Sequence, residues 1–464
     1  MVLMPQLLYI LHNTPVWIPF RIFYGVQGMF RELLWKKGHP RIKLETLQRA
    51  KDNGGLAIPN PWIYFLAAQA QQLRGWAQDL DGAGPNGRLV SIMTGMVPPI
   101  TAIEIGKVGT ISGLRCPTLA LMAKTWSKIK SILGVKGNSE YFPIWHNPKL
   151  PEMFRLEGFS PWEGKGIWFL HQLLEGETFK SFEQLQESFH LTHTQFYKFL
   201  QLRHASEKTI KDERIQTSNH SVLKIVVGGG SSKGIISCIY SRLLEEYLKE
   251  HPLNIKEKWE ADLGEISDTQ WDVVLESIPS LSPSEAQRLS QIYILHRVYK
   301  TPSLLHKIGL RNDSCCPRCS APNAKLFHMM WECKELEEFW KQVLHLIRKV
   351  LSVDLEPDPR ACLLGLIESD TMEGATLLCA QKMLYLARKA IAARWIQALA
   401  PTAQEFINKV NNIIRLEWGV YLKRKCPKKF DKIWGRWLGT AGLPNKALID
   451  LRNSTRYQMM LLGT

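Results

Sequence analysis

Cys316, Cys319, His328 and Cys333 form the pattern C-x2-C-x8-H-x4-C. Three soft thiolates and one imidazole on two short spacers are the donor set of a tetrahedral structural zinc site. Pro317 between the first two cysteines presets a turn, so both sulfurs can face one pocket. Four protein ligands leave no open position for a catalytic water. Cys315 offers the competing spacing C-x3-C; the tighter Cys-Pro-Arg-Cys turn favours Cys316. The plainer reading is that the cysteines and His328 only fill a core. After Cys333, Leu336, Trp340, Val343, Leu344, Ile347 and Leu351 fall on one helical stripe. The cluster therefore closes a loop that leads into a buried helix.

The sequence around this loop is charged unevenly. From Arg297 to Lys325 there are six cations (Arg297, Lys300, Lys307, Arg311, Arg318 and Lys325) against the one acid Asp313. Glu332, Glu335, Glu337 and Glu338 then reverse the sign. Such polarity would orient a polyanion on one side of the metal. Two further basic runs are candidate phosphate contacts, or merely solvated faces. One holds Lys36, Lys37, Arg41 and Lys43; the other holds Lys423, Arg424 and Lys425. Beyond the second run, Phe430, Trp434 and Trp437 alternate with Lys428, Lys429, Lys432 and Arg436. These aromatics either stack on bases or pack one helix onto the core.

No catalytic constellation emerges. The chain has no G-x-S-x-G elbow, no H-E-x-x-H helix and no Asp-Asp pair for two-metal chemistry. Gly228–Gly234 lacks the Ser or Thr that must follow the lysine of a phosphate loop, and reads as a flexible turn.

The composition suits a packed protein of several units: 464 residues, 45% hydrophobic, with 16 tryptophans. Net charge is +16 and the pI is near 9.4, which favours a polyanionic partner. Nine cysteines, an odd number, suit a reducing compartment better than a disulfide scaffold. Prolines break the apolar first 20 residues, so no signal peptide or spanning segment is expected.

The local patterns are mainly helical. Residues 20–76 read as two helices around a basic connector, and Leu114–Leu133 contains one. Ser181 with Gln184, Thr192 with Gln195, and Thr402 with Glu405 have capping-box spacing. Ser282 is the expected cap of another helix, with Pro283 in its first position and Glu285 closing the box. A polar linker is expected at about 205–230, and His296 reads as a packed histidine.

Several strings, taken in order, resemble one known family. They are Met4–Tyr9, Asn13–Pro19, Gly54–Asn60, Phe199–His204, Trp259–Gly264, Leu295–Pro302 and the cysteine loop running into Glu338-Phe339-Trp340. The chain resembles the C-terminal, post-palm part of a vertebrate LINE-type (non-LTR) retrotransposon reverse transcriptase polyprotein, over nearly its whole length. The resemblance implies a mainly α, multi-segment protein. Its parts are a thumb-like helical region (1–76), an irregular linker (77–160), a helical linker or wrist (161–310), a CCHC zinc-binding module (311–351) and a C-terminal helical basic region (352–464). It also implies RNA or DNA as partner, together with the polymerase and endonuclease portion of the same element. The location would be nucleus or cytoplasm. The palm's Tyr/Phe-x-Asp-Asp signature is not in these residues, so no independent polymerase activity is expected. The rival reading is a helical protein-interaction scaffold with a structural zinc.

Overall fold

The computed structural model describes residues 16–36, 38–78, 117–135, 160–176, 178–212, 221–227, 233–367 and 374–454, with isolated positions between them. Among these the fold is mainly helical, with one two-stranded hairpin. The helices are α1 (Phe20–Trp35), α2 (Leu44–Gln48), α3 (Pro61–Gln78), α4 (Pro117–Ile132), α5 (Phe182–Phe189), α6 (Phe196–Asp212), α7 (Ser221–Val227) and α8 (Ile235–Lys249). They continue as α9 (Ile255–Leu263), α10 (Asp268–Leu281), α11 (Glu285–Leu295), α12 (Pro302–Lys307), α13 (Lys334–Leu351), α14 (Gly374–Ala393), α15 (Ala403–Lys423), α16 (Pro427–Gly439) and α17 (Lys446–Asn453). The hairpin strands are β1 (Leu174–Glu175) and β2 (Thr178–Phe179), paired antiparallel with Leu174 opposite Phe179.

The chain forms two compact units, one of Met1–Gly38 with Pro59–Pro252, the other of His39–Ile58 with Leu253–Thr464. This grouping differs from the five consecutive segments that the resemblance implied. Residues 39–58 lie in the expected thumb-like region yet fold with the C-terminal unit. The reason is local packing: Leu47 is buried, and the Gly54 carbonyl lies 2.7 Å from His296 Nε2. Gly54 has φ 75°, and a Cβ there would meet Leu275 at 3.3 Å, so glycine is required. His296 is thus a packed histidine, as read from the sequence.

In the first unit α1, α4, α7 and α8 pack on α3. Ala67, Ala68 and Ala70 let backbones approach closely, and Trp62 stacks on Phe65 at 5.5 Å. Asn60 starts α3 by accepting the Trp62 and Ile63 N–H groups at 3.1 and 3.2 Å. A second core in this unit gathers Trp162, Leu170, Phe182, Leu185, Phe199 and Leu202. The Ser181–Gln184 capping box forms there as expected. Helix α6 runs to Asp212, into the expected polar linker, because Ala205, Ser206 and Thr209 are buried.

In the second unit α14 is central, with α10, α11, α13, α15 and α16 around it. Its interior holds charge as well as apolar surface. Lys382 Nζ meets Glu417 Oε1 at 2.6 Å, with both side chains 1% exposed. Arg388 donates to Gln291 Oε1 and to the Cys362 carbonyl, at 2.9 and 2.8 Å. One expectation shifts here. Ser284, not Ser282, is the N-cap of α11, because Ser282 ends α10. The basic stretch after α15 forms the helices α16 and α17. Among the described residues no helix is long and apolar enough to cross a membrane.

Candidate metal centre

The cysteine loop folds as a tight knuckle. The Cys316 N–H donates to the Ala321 carbonyl at 2.8 Å and the Ser320 N–H to the Cys316 carbonyl at 2.9 Å. The Ala324 N–H closes the base of the loop on the Ser314 carbonyl at 2.9 Å. His328 opens a π-helical turn, His328–Glu332, so the Cys333 N–H reaches back to its carbonyl at 3.1 Å. Cys333 is then the N-cap residue of α13. This wider turn brings His328 and Cys333 to one side while Met329 and Met330 enter the core. Trp340 Nε1 donates to the Met330 carbonyl at 3.0 Å and fastens the turn to α13.

One donor atom each from Cys316, Cys319, His328 and Cys333 lies within 4.8 Å of all the others. Cys316 Sγ and Cys333 Sγ are 3.8 Å apart, and Cys319 Sγ is 3.3 Å from His328 Nε2. The four residues are therefore placed to hold one metal ion. Cys315 stands outside the group, its N–H bound to Asp313 Oδ1 at 2.8 Å. The tighter C-x2-C choice is the one the fold makes.

Environment separates the donors. Burial pushes the Cys333 thiol up to about 12, and the neighbouring Cys316 adds to this. Burial also acts to raise Cys319, but the Ala321 N–H, the neighbouring thiols and the Lys334 charge outweigh it and leave that thiol lowered. Burial lowers His328, with Glu332 opposing and Arg318 assisting, which favours the neutral, ligating imidazole. A cation among these sulfurs would favour all three thiolates at once.

The expected nucleic-acid contacts divide in the structure. Lys300, Lys307, Lys423, Arg424 and Lys425 are exposed, as are Lys36, Arg41 and Lys43. Arg41 lies over the Tyr293 ring, 5.8 Å from its centroid. Lys37 lies outside the described residues. Three arginines are turned to the protein's own groups. Arg297 pairs with Asp262, donates to the Lys258 carbonyl at 2.6 Å and covers the Trp259 ring. Arg318 is buried and donates to the Met329 carbonyl at 2.8 Å. Arg311 pairs with Asp313 at 3.2 Å. The basic stretch from Arg297 to Lys325 thus offers Lys300, Lys307 and Lys325 to solvent rather than all six cations.

The tail aromatics follow the packing alternative. Phe430, Trp434 and Trp437 are fully buried, with Trp434 Nε1 on Glu417 Oε2 at 2.8 Å and Trp437 Nε1 on Asn411 Oδ1 at 2.9 Å. They cannot stack on bases, whereas Lys428, Lys429 and Lys432 on the same helix face outward.

Sequence reasoning did not find a cleft of about 460 Å³ beside Cys333, lined in part by Trp331, Lys334, Trp340 and Lys341. Its signal was the pair Trp331 and Trp340, whose ring centroids lie 5.6 Å apart across the π-helical turn. No protein-family model matches the chain.

Proposed function

We propose that this chain binds nucleic acid through exposed cations on a helical body whose cysteine knuckle is held by a structural zinc ion. The observation that carries the zinc reading is the donor geometry. Sulfurs at ~2.3 Å from a tetrahedral zinc are about 3.8 Å apart, and a sulfur and an imidazole nitrogen about 3.6 Å. The separations of 3.8 and 3.3 Å lie close to both. The ligands are all protein atoms, so the ion's role is to hold the knuckle.

The nucleic-acid reading draws support from the net charge of +16 and from where its free cations sit. Lys423, Arg424 and Lys425 crowd the carbonyl end of α15, where the helix dipole favours them. Lys300 precedes α12 and Lys307 ends it, just ahead of the knuckle. With the tail aromatics buried, binding would be dominated by phosphate and tolerant of sequence. The resemblance to the post-palm part of LINE-type reverse transcriptases fits this reading. On it, the 464 residues grip nucleic acid, and polymerisation depends on carboxylates that they do not include.

The exposed apolar face of α1 favours a second reading, the interaction scaffold. Ile22, Met29 and Leu33 share that face and are exposed. Filter binding over a salt series separates the two. Five phosphate contacts predict a log–log slope of about −4.5 on duplex DNA, or −3.5 on a single strand. A flat response contradicts nucleic-acid binding. Primer extension by the purified chain would contradict the assignment of polymerisation elsewhere.

A further inference from the structure

Arg318 stands in the chain between two metal ligands, Cys316 and Cys319. It is 9% exposed. Its Nη1 donates to the carbonyl of Met329, the residue after the ligand His328. Its Nε and Nη2 are buried too, and neither has a hydrogen-bond partner among the described residues. Among the described residues no carboxylate pairs with it, and Asp313, the acid closest in sequence, is taken by Arg311. A guanidinium buried in this way, with no opposite charge, is unfavourable in a low-dielectric interior.

The knuckle itself can supply that charge. A divalent cation held by three thiolates and one neutral imidazole carries one net negative charge. We infer that Arg318 is the internal counter-cation of the metal–thiolate centre, a positioning residue that stabilises the loaded cluster rather than a contact to nucleic acid. The inference rests on the zinc reading above and goes beyond it. Neutralising the centre strengthens metal retention and lowers the reactivity of the bound thiolates toward electrophiles. The loaded centre supplies the opposite charge that the guanidinium lacks among the described residues.

The test uses the full chain and zinc alone, with affinity read by competition against a chromophoric chelator. Arg318→Met keeps the bulk and removes the charge; it should weaken zinc binding about 10- to 100-fold. Arg318→Lys should recover most of that loss. The deciding comparison is a Cys319→His background, in which two thiolates and two imidazoles make the loaded centre neutral. There Arg318→Met should change zinc affinity by no more than about twofold. An equal loss in both backgrounds would mean that Arg318 acts by packing alone, and would overturn the inference. Should the Cys319→His chain fail to load zinc, iodoacetamide alkylation of the loaded native ligand set decides instead. Arg318→Met must react faster than both wild type and Arg318→Lys, and equal rates overturn the inference. A wild-type chain that binds no zinc removes the zinc reading itself, a result distinct from a zinc affinity indifferent to residue 318.

Discussion

Glu417→Gln should destabilise the C-terminal unit by about 3–5 kcal/mol, because it leaves a buried ammonium without its counter-charge. Lys382 Nζ has two protein acceptors, Glu417 Oε1 at 2.6 Å and the Leu281 carbonyl at 2.9 Å. Burial lowers the Lys382 ammonium and the Glu417 carboxylate opposes that. Removing the carboxylate gives the lysine one escape, which is to shed its proton. Deprotonating an amine of ordinary affinity at pH 7 costs about 4.8 kcal/mol, so the charge-burial part of the loss cannot exceed this. For a unit of this size the loss corresponds to a fall of about 6–20 °C in Tm. Near-UV circular dichroism reads it directly, because Trp434 donates to Glu417 of the pair. If the lysine is neutral in the Glu417→Gln fold but charged when unfolded, the unfolded chain binds more protons. The variant should therefore gain stability as pH rises toward 10, by up to about 1.4 kcal/mol per unit. Replacing both charges, Lys382→Met with Glu417→Leu, should return stability to within about 1 kcal/mol of wild type or above it. A Glu417→Gln shift below about 2 °C, or a double variant as unstable as the two single losses added together, would refute the reasoning.

Cys319→Ser or His328→Ala should release zinc and raise hydrogen exchange in the knuckle from residue 315 to 325. The π-helical turn should stay protected, since Met329 and Met330 are buried and Trp340 holds the Met330 carbonyl. Unchanged zinc content, or exchange spread over the whole C-terminal unit, would contradict this. His171 predicts acid sensitivity in the N-terminal unit. Burial first, and then the Lys180 and Lys224 charges, lower it to about 4. Its neutral form is the folded one, so its stability is fully present above about pH 6.5 and is lost as pH falls toward 4, by about 3 kcal/mol at most. His171→Phe should flatten that part of a urea-midpoint-against-pH curve, and an unchanged slope would show that other groups carry it.

The ligand set was legible in the sequence because metal chemistry restricts both residue type and spacing. Cys316, Cys319, His328 and Cys333 converge as their pattern implied. Three of the four expected capping boxes were legible because each joins residues three apart, as at Thr402 and Glu405, whereas the box expected at Ser282 and Glu285 did not form. Long-range contacts were not legible. Nothing local says that Arg318 and Arg297 turn inward, since a cation's direction is set by acceptors far along the chain, such as Asp262 and the Met329 carbonyl. The basic-aromatic tail carried two meanings, and only the partners of Trp434 and Trp437 on α15 decided between them. The joining of residues 39–58 to the C-terminal unit depends on His296, more than two hundred residues away, and no window of local pattern spans that separation.

X-ray absorption at the zinc edge on the purified, zinc-loaded chain tests the central claim most directly. The geometry predicts one zinc per chain with three sulfurs at about 2.3 Å and one nitrogen at about 2.0–2.1 Å. A substoichiometric metal content, or a first shell made of oxygen rather than sulfur, would contradict it.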